Sequence, residues 1–176
     1  NVTGVTIDPG VMNPAGVTLS NSVVNDTGIM TVSFTSANPI PANGKIVFTL
    51  PVNTFTLNSG SATVASNLVG MDGTLTVGIV GDVVTLTRGG GATQSNGGAA
   101  RGFDLSNVRN FPVGSGTTGV FGIQTKTTGD VLIDQKLDVS GVRIAGLINP
   151  GAVTLSNYVA GNTAGTMTVT FTPPNA

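Results

Sequence analysis

Histidine, cysteine, tryptophan and glutamate are all missing from this sequence, and charge of either sign is scarce. Each absence removes chemistry. Without histidine or cysteine there is no Ser-His-Asp triad, no Cys-His pair and no His/Cys zinc site. No disulfide can form, which leaves the compartment open, because a chain of 176 residues can fold without one. All eight acids are aspartates. Four of them sit beside turn glycines or prolines (Asp8-Pro9, Asp72-Gly73, Gly81-Asp82, Gly129-Asp130), where the usual task of a carboxylate is to bond backbone N–H groups rather than to pair for glycoside hydrolysis. An enzyme is therefore not expected. Charged residues make up 9% and the net charge is −1, so the basic footprint of a nucleic-acid or membrane-surface binder is missing. No apolar run approaches the roughly 18 residues of a membrane-spanning helix. The chain opens at Asn1 without an initiator methionine or signal peptide, which suggests a processed or excised protein.

What is present points to sheets. Hydrophobic residues reach 39% and there are 26 glycines, while β-branched valine and threonine dominate the rest and suit a pleated surface. Period-two segments bounded by Gly, Asn, Asp and Pro fall at 2–7, 16–24, 28–35, 44–50, 62–69, 73–79, 82–88, 102–108, 118–127 and 131–138. The spacing predicts an all-β chain, an antiparallel immunoglobulin-like β-sandwich. "NPIPANGK" (38–45) reads as a turn in which Asn43-Gly44 takes positive φ. "GGGATQSNGG" (89–98) reads as a low-complexity mobile loop, flanked by Arg88 and Arg101. It lacks the lysine of a phosphate-binding loop.

The strongest signal is a repeat. Residues 2–35 align with 139–172, with one gap opposite Pro9 and one opposite Ala164, and 20 of the 33 aligned pairs are identical. A period of about 137 residues suits whole domains in tandem. Residues 1–138 then form one complete unit, and 139–176 open a second. In that second copy Met167, Val169 and Phe171 share one strand face, and Val153 and Leu155 add another apolar strand. Such a ribbon has no complete core of its own and is marginal in water. These five residues are the expected assembly surface, completed by a neighbouring unit or subunit. The connection "KLDVSGVRI" (136–144) offers Leu137, Val139, Val142 and Ile144 for burial against both neighbours, with a bend near Gly141.

Ligand sites are weaker. Asp130, Asp134 and Asp138 cluster at the repeat boundary and could offer oxygen ligands to calcium. The alternative is three solvated acids at turns and strand ends, and Lys136 among them favours that. Sequons at Asn1 and Asn25 are candidate N-glycosylation sites of a secreted surface protein. Thr-x-Thr strings at 74–76, 85–87, 125–127 and 168–170 have the form of ice- or glycan-binding faces, yet any threonine-rich strand produces them. An adhesin that binds surface glycans is the second functional reading. It has few aromatic platforms, with one tyrosine (Tyr158) and seven phenylalanines that fit core positions.

"TGIMTVSFTSANPIPANGKIVFTLP" (27–51) and "LSNVRNFPVGSGTTGVFGIQTKTTGDVLID" (105–134) resemble tandem β-sandwich repeats of very large extracellular surface and fibre proteins of algae and other single-celled eukaryotes. The resemblance implies a structural module of a filament, flagellar hair, sheath or surface layer, outside the cell or on its surface, with copies of itself as partners. It carries no catalytic motif.

Overall fold

The computed structural model describes residues 8–57, 64–110, 116–146, 149–161 and 163–172. In chain order the strands are β1 (Gly10–Val11), β2 (Ala15–Leu19), β3 (Thr27–Thr35), β4 (Lys45–Thr49), β5 (Phe55–Leu57), β6 (Val64–Val69), β7 (Thr74–Val80) and β8 (Val83–Gly89). They continue as β9 (Ala100–Asn110), β10 (Gly116–Thr117), β11 (Phe121–Lys126), β12 (Leu132–Val139), β13 (Arg143–Ile144), β14 (Asn149–Leu155) and β15 (Met167–Thr172). Among the described residues no helix is long and apolar enough to cross a membrane.

Two sheets make the main body. One has the order β1-β12-β11-β4-β8-β7, and the other is β2-β3-β9 with β5 and β6 both on β9. β1 runs parallel to β12, and the other named pairs are antiparallel. Alternation decides which side chains face inward. On β3 Met30, Val32 and Phe34 are buried while Ile29, Thr31 and Ser33 are exposed. The first sheet answers with Ile46, Phe48, Leu86 and Ile123 in the same apolar cluster. Phe48 meets Phe103 of the second sheet edge-on at 6.0 Å and stacks on Phe121 at 5.6 Å, the offset and edge geometries that aromatic pairs favour. The result is an all-β body of two facing antiparallel sheets.

Each period-two segment from 16–24 to 131–138 overlaps a strand, and residues 2–7 and 62–63 lie outside the described residues. β2 stops at Leu19 rather than reaching residue 24, because the Ser20 hydroxyl accepts the Ile29 N–H and the chain turns. β1, β5, β10 and β13 are only two or three residues long, too short to show a period. The 38–45 turn also differs from expectation. Gly44 N–H donates to the Pro41 carbonyl at 2.9 Å, and neither Asn43 nor Gly44 takes positive φ. The β7–β8 hairpin does use that device, with Gly81 at φ 57 as the first of two loop residues.

The chain after residue 138 stays with this body. Val139 pairs with Phe121, Ile144 with Gly116, and Val139 and Ile144 are buried in the main cluster with Val142 against it. Leu137 is exposed. The repeat boundary at 138/139 thus lies inside the packing of the first body, and 139–145 is part of that body rather than a hinge between two. Strand pairing is interrupted around Gly141, between β12 and β13.

A chain that stops after Gly146 is expected to unfold within about 0.5 kcal/mol of the full chain. One that stops after Asp138 loses Val139 and Ile144 from the core and should be weaker by at least about 3 kcal/mol. Urea unfolding checks this. Equal midpoints would show that 139–145 lies on the core without contributing to it.

Candidate functional site

β14 and β15 form a separate two-stranded sheet, and it is the β2–β3 hairpin built a second time. Val17 faces Val32 and Leu19 faces Met30 in the first; Val153 faces Val169 and Leu155 faces Met167 in the second. The connecting loops repeat as well. Ser20 N–H donates to the Ile29 carbonyl (2.9 Å) and Ile29 N–H to Ser20 Oγ (2.8 Å). Ser156 N–H donates to the Thr166 carbonyl (3.0 Å) and Thr166 N–H to Ser156 Oγ (2.8 Å). Asn21 Oδ1 accepts the Val23 N–H and Asn157 Oδ1 the Val159 N–H, each at 2.9 Å. Even the left-handed backbone position recurs, as Asn25 (φ 63) and Gly161 (φ 83), the residue types that tolerate it best.

The two hairpins differ in what covers them. Met30, Val32 and Phe34 are 0%, 0% and 2% exposed, whereas Met167, Val169 and Phe171 are 64%, 53% and 60% exposed. Val153 and Leu155 are exposed too. The five residues expected to form the assembly surface therefore occupy one strand pair and lie open to solvent. At about 1 kcal/mol for each half-exposed side chain, covering all five is worth on the order of 5 kcal/mol. Of the exposed positions of β3, Ile29 and Ser33 become Thr166 and Thr170 while Thr27 and Thr31 stay threonine, and the buried Met, Val and Phe are all kept. The second hairpin keeps the side chains of a covered strand.

The three boundary aspartates are not brought together. Asp130 pairs with Lys45 Nζ at 2.9 Å and Asp138 with Lys136 Nζ at 2.9 Å. Those lysines, by hydrogen bond first and by charge as well, hold both carboxyls below their ordinary range. Asp134 is fully buried, and its carboxylate accepts the Asn38 N–H (3.0 Å) and Asn38 Nδ2 (2.7 Å). Among the described residues no three metal-ligating side chains converge. Of the two sequons, Asn1 lies outside the described residues and Asn25 is exposed, its Oδ1 accepting from Arg109 Nη2 at 2.5 Å.

The 89–98 loop is clamped from below. Arg88 follows Val84 and Leu86 on the inward face of β8, and its side chain is buried. Its Nη1 donates to the Ile40 and Pro41 carbonyls and its Nη2 to the Thr93 carbonyl and Asp72 Oδ1, all at 2.9 Å. Arg101, also buried, donates to Ser36 Oγ and to the Gly70 and Asn96 carbonyls. Burial, and then the nearby Arg88 charge, pull Arg101 below the ordinary guanidinium range. A cavity of about 420 Å³ lies beside the clamp, lined by Asp72, Thr93, Gln94, Ser95, Asn96 and Arg101 among others. The two guanidinium groups spend these bonds on main-chain carbonyls, Asp72 and the Ser36 hydroxyl, so the arrangement holds a loop. Sequence reasoning placed both arginines at the loop's edges, although the period-two parity of Val84, Leu86 and Arg88 already puts one of them inside.

Compared with family models and with curated proteins, the chain matches none of either.

Bonds from the Thr93 hydroxyl (2.6 Å) and Thr93 N–H, with the Arg88 charge behind them, hold the Asp72 carboxyl below its ordinary range. A depressed carboxyl contributes stability above its ordinary value and loses it as pH falls through the folded one. Asp72→Asn is thus expected to melt below wild type at neutral pH, with the gap closing as the solution turns acid. Melts of both chains down the acid range check this; a gap that stays constant would mean that ionised Asp72 does not hold the loop.

Proposed function

We propose that the chain is a structural repeat module of an extracellular filament, flagellar hair, sheath or surface layer, whose units complete one another's β-sandwiches. One observation carries this reading: β15 displays, uncovered, the Met, Val and Phe side chains that β3 buries, with Val153 and Leu155 facing Val169 and Met167 as Val17 and Leu19 face Val32 and Met30. In the first copy the cover comes from strands within 36–139, above all β4, β8 and β11. The second copy calls for the same strands from a further unit, either along a continuing chain or from a neighbouring one.

The chemistry of the tail supports packing over ligand binding. From residue 146 onward there is no charged side chain, so nothing ionic needs desolvation when the face is covered. The immunoglobulin-like reading draws support from strand order. β2-β3-β9 with β6 matches the A-B-E-D sheet and β4-β11-β12 the C-F-G sheet. It departs at β7 and β8, which lie beside β4 where the extra strands of a variable-type domain sit, yet come after β5 and β6 in the chain. The resemblance to giant algal surface proteins and the exposed Asn25 sequon favour a place outside the cell.

Replacing two open side chains with charges tests the reading. The Val169→Asp, Phe171→Asp chain should keep its stability within about 0.5 kcal/mol, because both residues are exposed. Wild type is expected to self-associate with rising concentration in sedimentation, and the variant to stay monomeric. Equal behaviour of the two would remove the face as an assembly surface.

A further inference from the structure

The segment 139–145 ("VSGVRIA") repeats 2–8 ("VTGVTID"), and the match tracks the packing residue by residue. Four residues are kept: Val139, Gly141, Val142 and Ile144. Val139 and Ile144 are 1% and 4% exposed, and Val142 packs against the same cluster. At Gly141 an added Cβ would lie 2.3 Å from the Thr118 carbonyl oxygen and 2.8 Å from that of Gly119, a gap that admits no side chain. The three exchanged positions, Ser140, Arg143 and Ala145, are all exposed. Residues inside are retained, and residues outside vary.

The seat itself is specific. Thr118 N–H donates to the Val142 carbonyl (2.8 Å) and Val142 N–H to Thr118 Oγ1 (3.0 Å). Ala145 N–H donates to the Ser22 carbonyl (2.7 Å), and Val24 N–H to the Ala145 carbonyl (2.9 Å). β10 pairs with β13, and Phe121 with Val139. The opening segment of the second repeat is thereby built into the first body.

We propose that residues 2–8 are a donor segment for this same seat on a second copy of the unit, so that units interlock, each closed by the opening strand of its successor. Residues 2–7 lie outside the described residues; their fitness for the seat rests on Val2, Gly4, Val5 and Ile7, the four side chains the seat selects. The inference rests on the tandem-repeat reading of the function but concerns a different surface from β14–β15.

The test is donor binding to the full 176-residue chain carrying Ile144→Asp, which loosens the chain's own segment from its seat. A fluorescent peptide of residues 1–9 is expected to bind this variant at least about tenfold more tightly than wild type, where the seat is filled in cis. The same peptide with Ile7→Asp should bind at least about tenfold more weakly. If Ile144→Asp is unfolded by circular dichroism, the peptide should restore the sheet signal and a cooperative melt, as a peptide of 139–146 should. A 1–9 peptide that neither binds nor restores overturns the proposal. Self-association through β14–β15 is measured separately on wild type, so the interlock can fail while that surface stands.

Discussion

A strand whose alternate residues are methionine, valine and phenylalanine has one face that water tolerates and one that it does not. Covering that face takes a second sheet, and the second sheet must come from somewhere. In the first body it comes from β4, β8 and β11, and the Met30, Val32 and Phe34 side chains vanish from solvent. At β14–β15 the local structure is complete, down to the serine and asparagine bonds of the connecting loop, yet the cover is missing. Hairpin geometry is thus a local property of these residues, whereas burial depends on strands from later in the unit. The gap between the two is the ground on which the tail is proposed as an assembly surface.

The junction shows the same separation of repeat and packing. The sequence repeats from residue 139, but the core runs on to Ile144, because Val139, Val142 and Ile144 find their apolar partners on the earlier strands. Packing holds the opening of the second repeat, residues 139–145, on the first body. Load entering that body along an array would pass through this paired backbone and a buried Ile. The charges beside it are accounted for: Lys136 and Asp138 pair with each other, Arg143 is exposed, and no charged residue lies beyond Arg143 in the sequence.

Much of this was legible in the residues. The alternation of β3, β4 and β8 marked strands and inward faces, and the second copy of the hairpin marked its own exposed side chains. Less legible were features set by long-range contact. Arg88 and Arg101 read as the edges of a mobile loop, and instead they reach under it to grip carbonyls from 40–41, 70, 93 and 96. Asp134 read as a calcium candidate, and it is fully buried against Asn38, far earlier in the chain, while Asp130 and Asp138 each hold a lysine. β1, β5, β10 and β13 exist because a neighbour offers an edge, and two or three residues carry no period of their own. The resemblance to surface-protein repeats carried the expectation of an extracellular array, and that expectation enters the account only as a proposal.

Backbone amide exchange tests the central claim most directly. The chain is lengthened after Thr172 with a second copy of residues 36–146, which holds the strands that cover β3 in the first body, and exchange is measured by mass spectrometry. Slowing of β15 by about a hundredfold or more, to the protection of Met30, Val32 and Phe34 in β3, is the predicted result. Fast exchange of β15 beside a folded added copy would contradict the account, because the matching strands would then be present and the face still uncovered.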